Sequence, residues 1–374
     1  MPVKPRHILI ACDKFKGSLG ALEVCTAIAR GLTTRWPSAI ITIHPIADGG
    51  EGFAETLCTP LKGRWIKCPA HDALGRPITA RYMMADSADG PLAVMEMAET
   101  SGLWRIPEAE RDILAATTTG TGEMMRHAIT NGGAKRIVLG IGGSATNDGG
   151  AGMASALGVR FLAADQSVLH PSPGILARHL AHVDASDMLR LPLVTAACDV
   201  SSQLLGPHGA TRVFGPQKGA DEATMPVLEA ALEKIIRLTD GAHLAEFPGA
   251  GAAGGLGFGL LRFAAAELVP GFDLLASLTG LTEQIGAADL VITGEGRLDE
   301  QTLSGKGPAG IARLARAHGI PVWAFCGSAD SPASQSGLFQ QIIELAATGL
   351  ALPELLTNAA GLLESVAARS EPSE

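Results

Sequence analysis

Short apolar runs that stop at an acidic or glycine-rich turn and hand over to helically spaced residues recur at both ends of this 374-residue chain. "HILIACD" leads through "KFKGS" into a helix predicted over 19–33, and "AIITIHPI" leads through "ADGGEG" into a helix predicted from Phe53. Two such units so close together predict parallel strands covered by helices. The rhythm returns near the C-terminus. There "ADLVITGEG" is followed by a helix from Gly307, then "IPVWAFCGS", "FQQIIEL" and a last helix predicted over 355–368.

The middle of the chain reads differently. "RWIKCPA", "ITARYMMA" and "LAVMEMA" are separated by the turn-rich "HDALGRP" and "DSADGP", which predicts an antiparallel meander. A helix-rich stretch follows to Gly133, then the strands "KRIVLGIGG" and "LPLVTAACD". The expected organisation is therefore a parallel α/β domain from residues 1–62 with 281–374, and an inserted mixed α/β domain over 63–280. Composition agrees. A chain of this length exceeds one ordinary core, and 47% hydrophobic residues with 46 glycines but only 4% aromatics suit layered α/β structure better than a sandwich.

A net charge of −9 argues against a nucleic-acid or acidic-membrane footprint, yet leaves room for a local cation cluster around an anionic substrate. The six cysteines form no C-x-x-C pair, so reduced thiols and a cytoplasmic location are expected. No uncharged apolar run approaches membrane-spanning length, since Arg262 interrupts the best one.

The unusual residues sit at predicted strand ends: Asp13, Asp48, Ser144 with Asp148, Asp199, and Glu295. Open α/β sheets bind ligands outside the carboxyl ends of their strands. Any one of these acids reads equally as a turn or cap residue; the recurrence at five strand ends predicts a shared site. Gly17 and Ser18 open a predicted helix that could hold phosphate, with Lys14 and Lys16 adding charge. "GIGGSATNDGGAGM" combines close backbone approach at Gly142 and Gly143 with hydrogen-bonding side chains at Ser144, Thr146, Asn147 and Asp148. Lys218 lies in the turn "FGPQKGA". "GEGRLDEQTLSGKGP" gathers Glu295, Arg297, Asp299, Thr302 and Lys306, a set able to bind magnesium and phosphates. No P-loop motif occurs. "GIGGSA" does match G-x-G-x-x-A after a strand, with Asp165 further on, so a NAD(P)-dependent oxidoreductase remains an alternative. So does a non-enzymatic small-molecule sensor.

In the order "DKFKGSLGA", "PIADGGEG", "ATTTGTGE", "GIGGSATNDGG", "FGPQKGA", "GAGAAGGLG" and "LVITGEGRLDEQTLSGKGPAGIA", the segments resemble the type I glycerate kinase family over nearly the whole chain. The resemblance departs at Ser202 and Gln203, where the family usually carries Asn-Pro, and at Thr119, where an aromatic is common. It implies ATP, Mg2+ and D-glycerate giving a phosphoglycerate, the 2-phospho isomer expected. It also implies a flavodoxin-like domain plus a restriction-enzyme-like domain, with the site between them. On that reading Asp48, Asp199 and Glu295 bind metal, and Asp13 or Asp148 accepts the proton. Ser18, Gly142, Gly143, Ser144 and Lys306 contact phosphates, with Lys14, Lys16, Gly49, Gly50, Asn147 and Thr302 in the same binding set. Arg297 and Lys218 meet the glycerate carboxylate.

Overall fold

In the computed structural model the described residues are 4–47, 49–303 and 307–371. The chain forms two compact units, Met1–Asp48 with Phe272–Glu374, and Gly49–Gly271. The N-terminal part of the first unit carries β1 (His7–Cys12) and β2 (Ile40–Ile43). The inserted unit contributes β3 (Arg64–His71), β4 (Pro77–Ser87), β5 (Gly90–Glu96), β6 (Arg136–Gly140), β7 (Arg160–Leu162), β8 (His182–Asp184), β9 (Leu193–Ala197) and β10 (Glu267–Val269). β11 (Leu290–Leu298), β12 (Val322–Ala329) and β13 (Gln341–Glu344) complete the first unit.

The first unit is a five-stranded parallel sheet in the order β13-β12-β11-β1-β2. Counted within that unit the order is 2-1-3-4-5, which is flavodoxin-like. Its central strands are continuous apolar runs because both faces are covered. Ile8, Leu9, Ile10, Ala11 and Cys12 are buried, as are Val291, Ile292, Trp323, Ala324 and Phe325. Helices Ala21–Arg35 and Leu352–Arg369 pack against one another on this sheet. Their closest approach needs Gly31, since a methyl group there would overlap the Glu364 carbonyl oxygen.

The inserted unit holds a six-stranded mixed sheet, β10-β9-β6-β5-β4-β3. β10, β9, β6 and β5 run parallel, and β5, β4 and β3 form the expected antiparallel meander. β7 and β8 pair separately. Tyr82, Met95, Leu139, Phe161 and Phe258 belong to its core. The unit boundaries fall at 48/49 and 271/272 rather than at 62/63 and 280/281. At the first boundary the reason is local. Helix Phe53–Cys58 packs on β4 and β5, and Glu96 at the end of β5 accepts hydrogen bonds from the Gly52 and Ala54 N–H groups at 3.0 and 2.7 Å.

Candidate functional site

In the parallel sheet the strand order reverses between β1 and β11, the switch point where such sheets take ligands. Asp13 directly follows β1, and Glu295 lies beside it within β11, which runs on to Leu298. Cys12 is paired with Gly294, and the Asp13 N–H continues the ladder to the Gly294 carbonyl at 2.8 Å. Asp13 Oδ1 accepts the Lys14 N–H at 2.6 Å, and Oδ2 lies toward Gly307, the first residue of helix Gly307–Ala317. Glu295 Oε1 accepts the Thr302 hydroxyl at 2.6 Å. Thr302, itself buried, also receives the Asp299 N–H at 3.0 Å, so the turn after β11 fixes the Glu295 carboxylate. Arg297 is largely exposed and reaches Asp299 only at 3.9 Å.

The turn after β1 packs over Gly296, with the Lys16 backbone against it. Lys14 is half-buried and Lys16 exposed. Ser18 does not offer the phosphate contact expected of it. Its N–H is bonded to the Phe15 carbonyl at 2.9 Å and its hydroxyl to the Leu356 carbonyl at 2.5 Å. Gly20, not Ser18, precedes the helix, and Glu23 takes the Gly20 N–H at 2.8 Å. Asp48 and Lys306 lie outside the described residues.

The inserted unit carries its polar residues at the carboxyl ends of its parallel strands. After β6 the Gly142 N–H meets the Gly49 carbonyl at 3.3 Å, and Gly142 packs so closely on Gly50 that a Cβ would sit 2.7 Å from the Gly50 Cα. Gly142 therefore packs backbone to backbone on Gly49 and Gly50, with Gly143 next in the chain and exposed. Beyond β9, Asp199 is half-buried, with Oδ1 accepting the Gly271 N–H at 3.1 Å.

Asp148 is fully buried, and its carboxylate is engaged inside the fold. Its Oδ2 accepts the Thr118 N–H (2.7 Å), the Thr118 hydroxyl (2.8 Å) and the Gly152 N–H (3.0 Å); Oδ1 accepts the Gly150 N–H (3.1 Å). Burial raises its pKa against the opposing pull of those donors. This carboxylate ties the glycine-rich loop to the start of helix Thr119–Thr130. Asn147 is likewise interior, its Nδ2 donating to the Thr211 hydroxyl at 3.0 Å. Lys218 is buried, with Nζ 2.6 Å from Ser144 Oγ and 2.8 Å from the Thr146 carbonyl.

The loop leans on the left-handed run Ala253, Gly254 and Gly255, with φ of 54°, 66° and 87°. A methyl group on Gly254 would overlap the Thr146 carbonyl oxygen. Gly254→Ala should therefore cost at least about 2 kcal/mol, through unfavourable φ together with displacement of the loop. The check is a lower denaturant midpoint with an unchanged m-value.

Sequence reasoning missed Glu96 and Thr118. Glu96 ends an apolar strand, a signal that was present; the role of Thr118 depends on contacts with residues 30 positions away that spacing does not reveal. Among the described residues no group of three or more His, Cys, Asp or Glu could hold a metal ion, and no helix is long and apolar enough to cross a membrane.

Residues 8–370 match the model of the glycerate kinase family. A glycerate kinase of Bacillus subtilis (strain 168) is 44% identical over 327 residues, covering 86% of this chain and 85% of that protein. A glycerate 2-kinase of Escherichia coli (strain K12) is 41% identical over 331 residues, covering 86% and 85%. The crystal structure of a putative glycerate kinase 2 from Salmonella typhimurium LT2 superposes with a TM-score of 0.84 at 38% identity, covering 98% of this chain and 97% of that one. The chain belongs to the glycerate kinase family.

Proposed function

We propose that this protein transfers the γ-phosphoryl group of ATP to the 2-hydroxyl of D-glycerate, with magnesium, in the cytoplasm. The observation that carries the reading is the similarity, over most of both chains, to a protein named glycerate 2-kinase. The switch-point pair Asp13 and Glu295 supports it, as do six free cysteines for the location. The oxidoreductase alternative loses its footing. A dinucleotide fold needs a helix opening at the glycine turn, but here helix Ala151–Ala156 begins only after a buried polar loop. Asp165 is spent on a turn, accepting from the Ser167 N–H and hydroxyl at 3.0 and 2.6 Å.

Phosphoryl transfer asks a protein mainly for positioning and charge neutralisation. Magnesium uses one or two carboxylates and fills its remaining positions with phosphate oxygens and water. Two carboxylate side chains side by side, one just after β1 and one within β11, fit that demand without a three-carboxylate cage. Glu295, oriented by Thr302, would hold the ion, with Asp13 beside it on the neighbouring strand. When bound, magnesium offsets the negative charge of the ATP phosphates. The Gly142–Gly143 backbone, with Gly49 and Gly50, gives phosphates close approach. Lys14, Lys16 and Lys306 would add positive charge toward the phosphates, and the exposed Arg297 suits a carboxylate fork.

The test is ADP release with D-glycerate and identification of the product by NMR. The expected product is 2-phosphoglycerate, and excess EDTA should abolish turnover. Undiminished turnover in EDTA removes the metal assignment; a 3-phospho product removes the regiochemistry.

A further inference from the structure

A lysine seldom lies fully beneath the surface without a carboxylate partner. Lys218 is 2% exposed and has no ion pair among the described residues. Its Nζ is held between Ser144 Oγ at 2.6 Å and the Thr146 carbonyl at 2.8 Å. Ser144 is 7% exposed and follows the glycine turn at the carboxyl end of β6. A hydroxyl, a base in contact with it, and a third group that orients the base form the arrangement that activates hydroxyls. Here the third group is the Thr146 carbonyl.

We infer that Ser144 and Lys218 form the proton relay of the phosphoryl transfer, Lys218 acting as the base and Ser144 Oγ passing it the proton of the acceptor hydroxyl. The inference rests on the glycerate kinase reading and replaces the carboxylate-binding role first expected of Lys218. It also gives the acceptor proton a destination other than Asp148, whose carboxylate already receives four donors inside the fold.

Burial is the main influence on the lysine and lowers its pKa to about 7; the nearby Asp148 charge opposes that shift. Charged groups on the elements packed around the Pro216–Lys218 turn are Asp148, Arg111, Arg212 and Asp221. Arg111 Nη1 donates to the Gln217 carbonyl at 3.2 Å, and Asp221 is engaged with Thr224. A base poised near the working pH is the most effective one.

In the step itself, the acceptor O–H gives its proton to Ser144 Oγ as the Ser144 proton moves to the lone pair of neutral Lys218. The acceptor oxygen forms its bond to the γ-phosphorus while the bond from that phosphorus to the ADP oxygen breaks. The bonding pair leaves on ADP, and Lys218, now an ammonium, later returns the proton to water.

The experiment is the pH profile of kcat/KM for the intact protein, with Lys218→Ala, Lys218→Arg and Ser144→Ala measured beside it. Wild type should lose activity as pH falls through about 7, with the slope of a single proton. Lys218→Ala should fall by roughly a hundred-fold or more and lose that limb, and Ser144→Ala should fall by at least about tenfold. Added primary amines should restore Lys218→Ala in proportion to their basicity, which a merely structural lysine would not allow. Should Lys218→Ala fail to fold, the wild-type profile still decides.

A wild type that makes phosphoglycerate with no limb near 7 overturns the relay alone. So does a Lys218→Arg variant with more than about a tenth of wild-type activity, because arginine cannot act as a base. A wild type that makes no phosphoglycerate overturns the kinase reading, and the relay with it.

Discussion

Asp148→Ala should destabilise the protein by about 4 kcal/mol or more, the largest stability loss expected of a single polar side chain here. Three backbone N–H groups and one hydroxyl lose their acceptor together. A buried donor left without an acceptor costs about 1–3 kcal/mol, and relief of the buried charge returns part of the total. The damage spreads, because the Thr118 hydroxyl oxygen also accepts the Met153 N–H at 2.9 Å.

Asp148→Asn gives the internal control. An amide oxygen at the Oδ2 position keeps three donors and turns its NH2 only against the Gly150 N–H, so the loss should be about 1–3 kcal/mol. Chemical denaturation should rank wild type above Asp148→Asn and Asp148→Ala last; equal midpoints for all three would sink the assignment. The titration has a sign as well. With the folded pKa raised, the folded state keeps its proton after the unfolded chain has released it. The contribution of this group to stability is thus fully present below about pH 4, declines as pH rises through the folded pKa, and is level above it. Asp148→Asn should lack that decline.

The strands were legible because burial on both faces writes itself as an uninterrupted apolar run. "HILIAC", "LVIT" and "VWAFC" could be little else, and the meander of β3, β4 and β5 announced itself through its turns. β2 came out shorter than its apolar run, ending at Ile43, although the His44 and Ile46 N–H groups still bond to the Ile10 and Cys12 carbonyls of β1. The boundary between residues 48 and 49 carries no change of composition; it follows from the packing of helix Phe53–Cys58 on β4 and β5 and from the Glu96 hydrogen bonds. At the site, the identity of the residues was readable and their orientation was not. Asp148 and Lys218 looked like ligand-facing charges at glycine turns. Both are interior groups whose partners, Thr118 for one and Ser144 with Thr146 for the other, come from distant segments. Ser18 failed for a similar reason, since its hydroxyl is taken by the Leu356 carbonyl.

Glu295→Gln should leave the fold near wild type and reduce kcat/KM by on the order of a hundred-fold. The strand that carries it is held on both sides, Gly294 against Cys12 and Glu295 against Cys326, so the backbone does not depend on the side-chain charge. Glutamine keeps the shape and can still accept the Thr302 hydroxyl through its amide oxygen. Only the negative charge is lost. If that charge shares a divalent ion with ATP, removing it weakens the neutralisation of the phosphates in the transition state. A contact of that kind is worth about 3–4 kcal/mol in a water-excluded site. The half-saturating magnesium concentration should rise as well, which a purely structural glutamate would not produce. Thr302→Val is the companion measurement. It spares the charge but frees its orientation, and an outer contact of this type contributes roughly ten- to a hundred-fold. A Glu295→Gln protein with normal kcat/KM and normal magnesium dependence would place the ion elsewhere and leave Glu295 as a β11 residue tied to the turn that follows the strand.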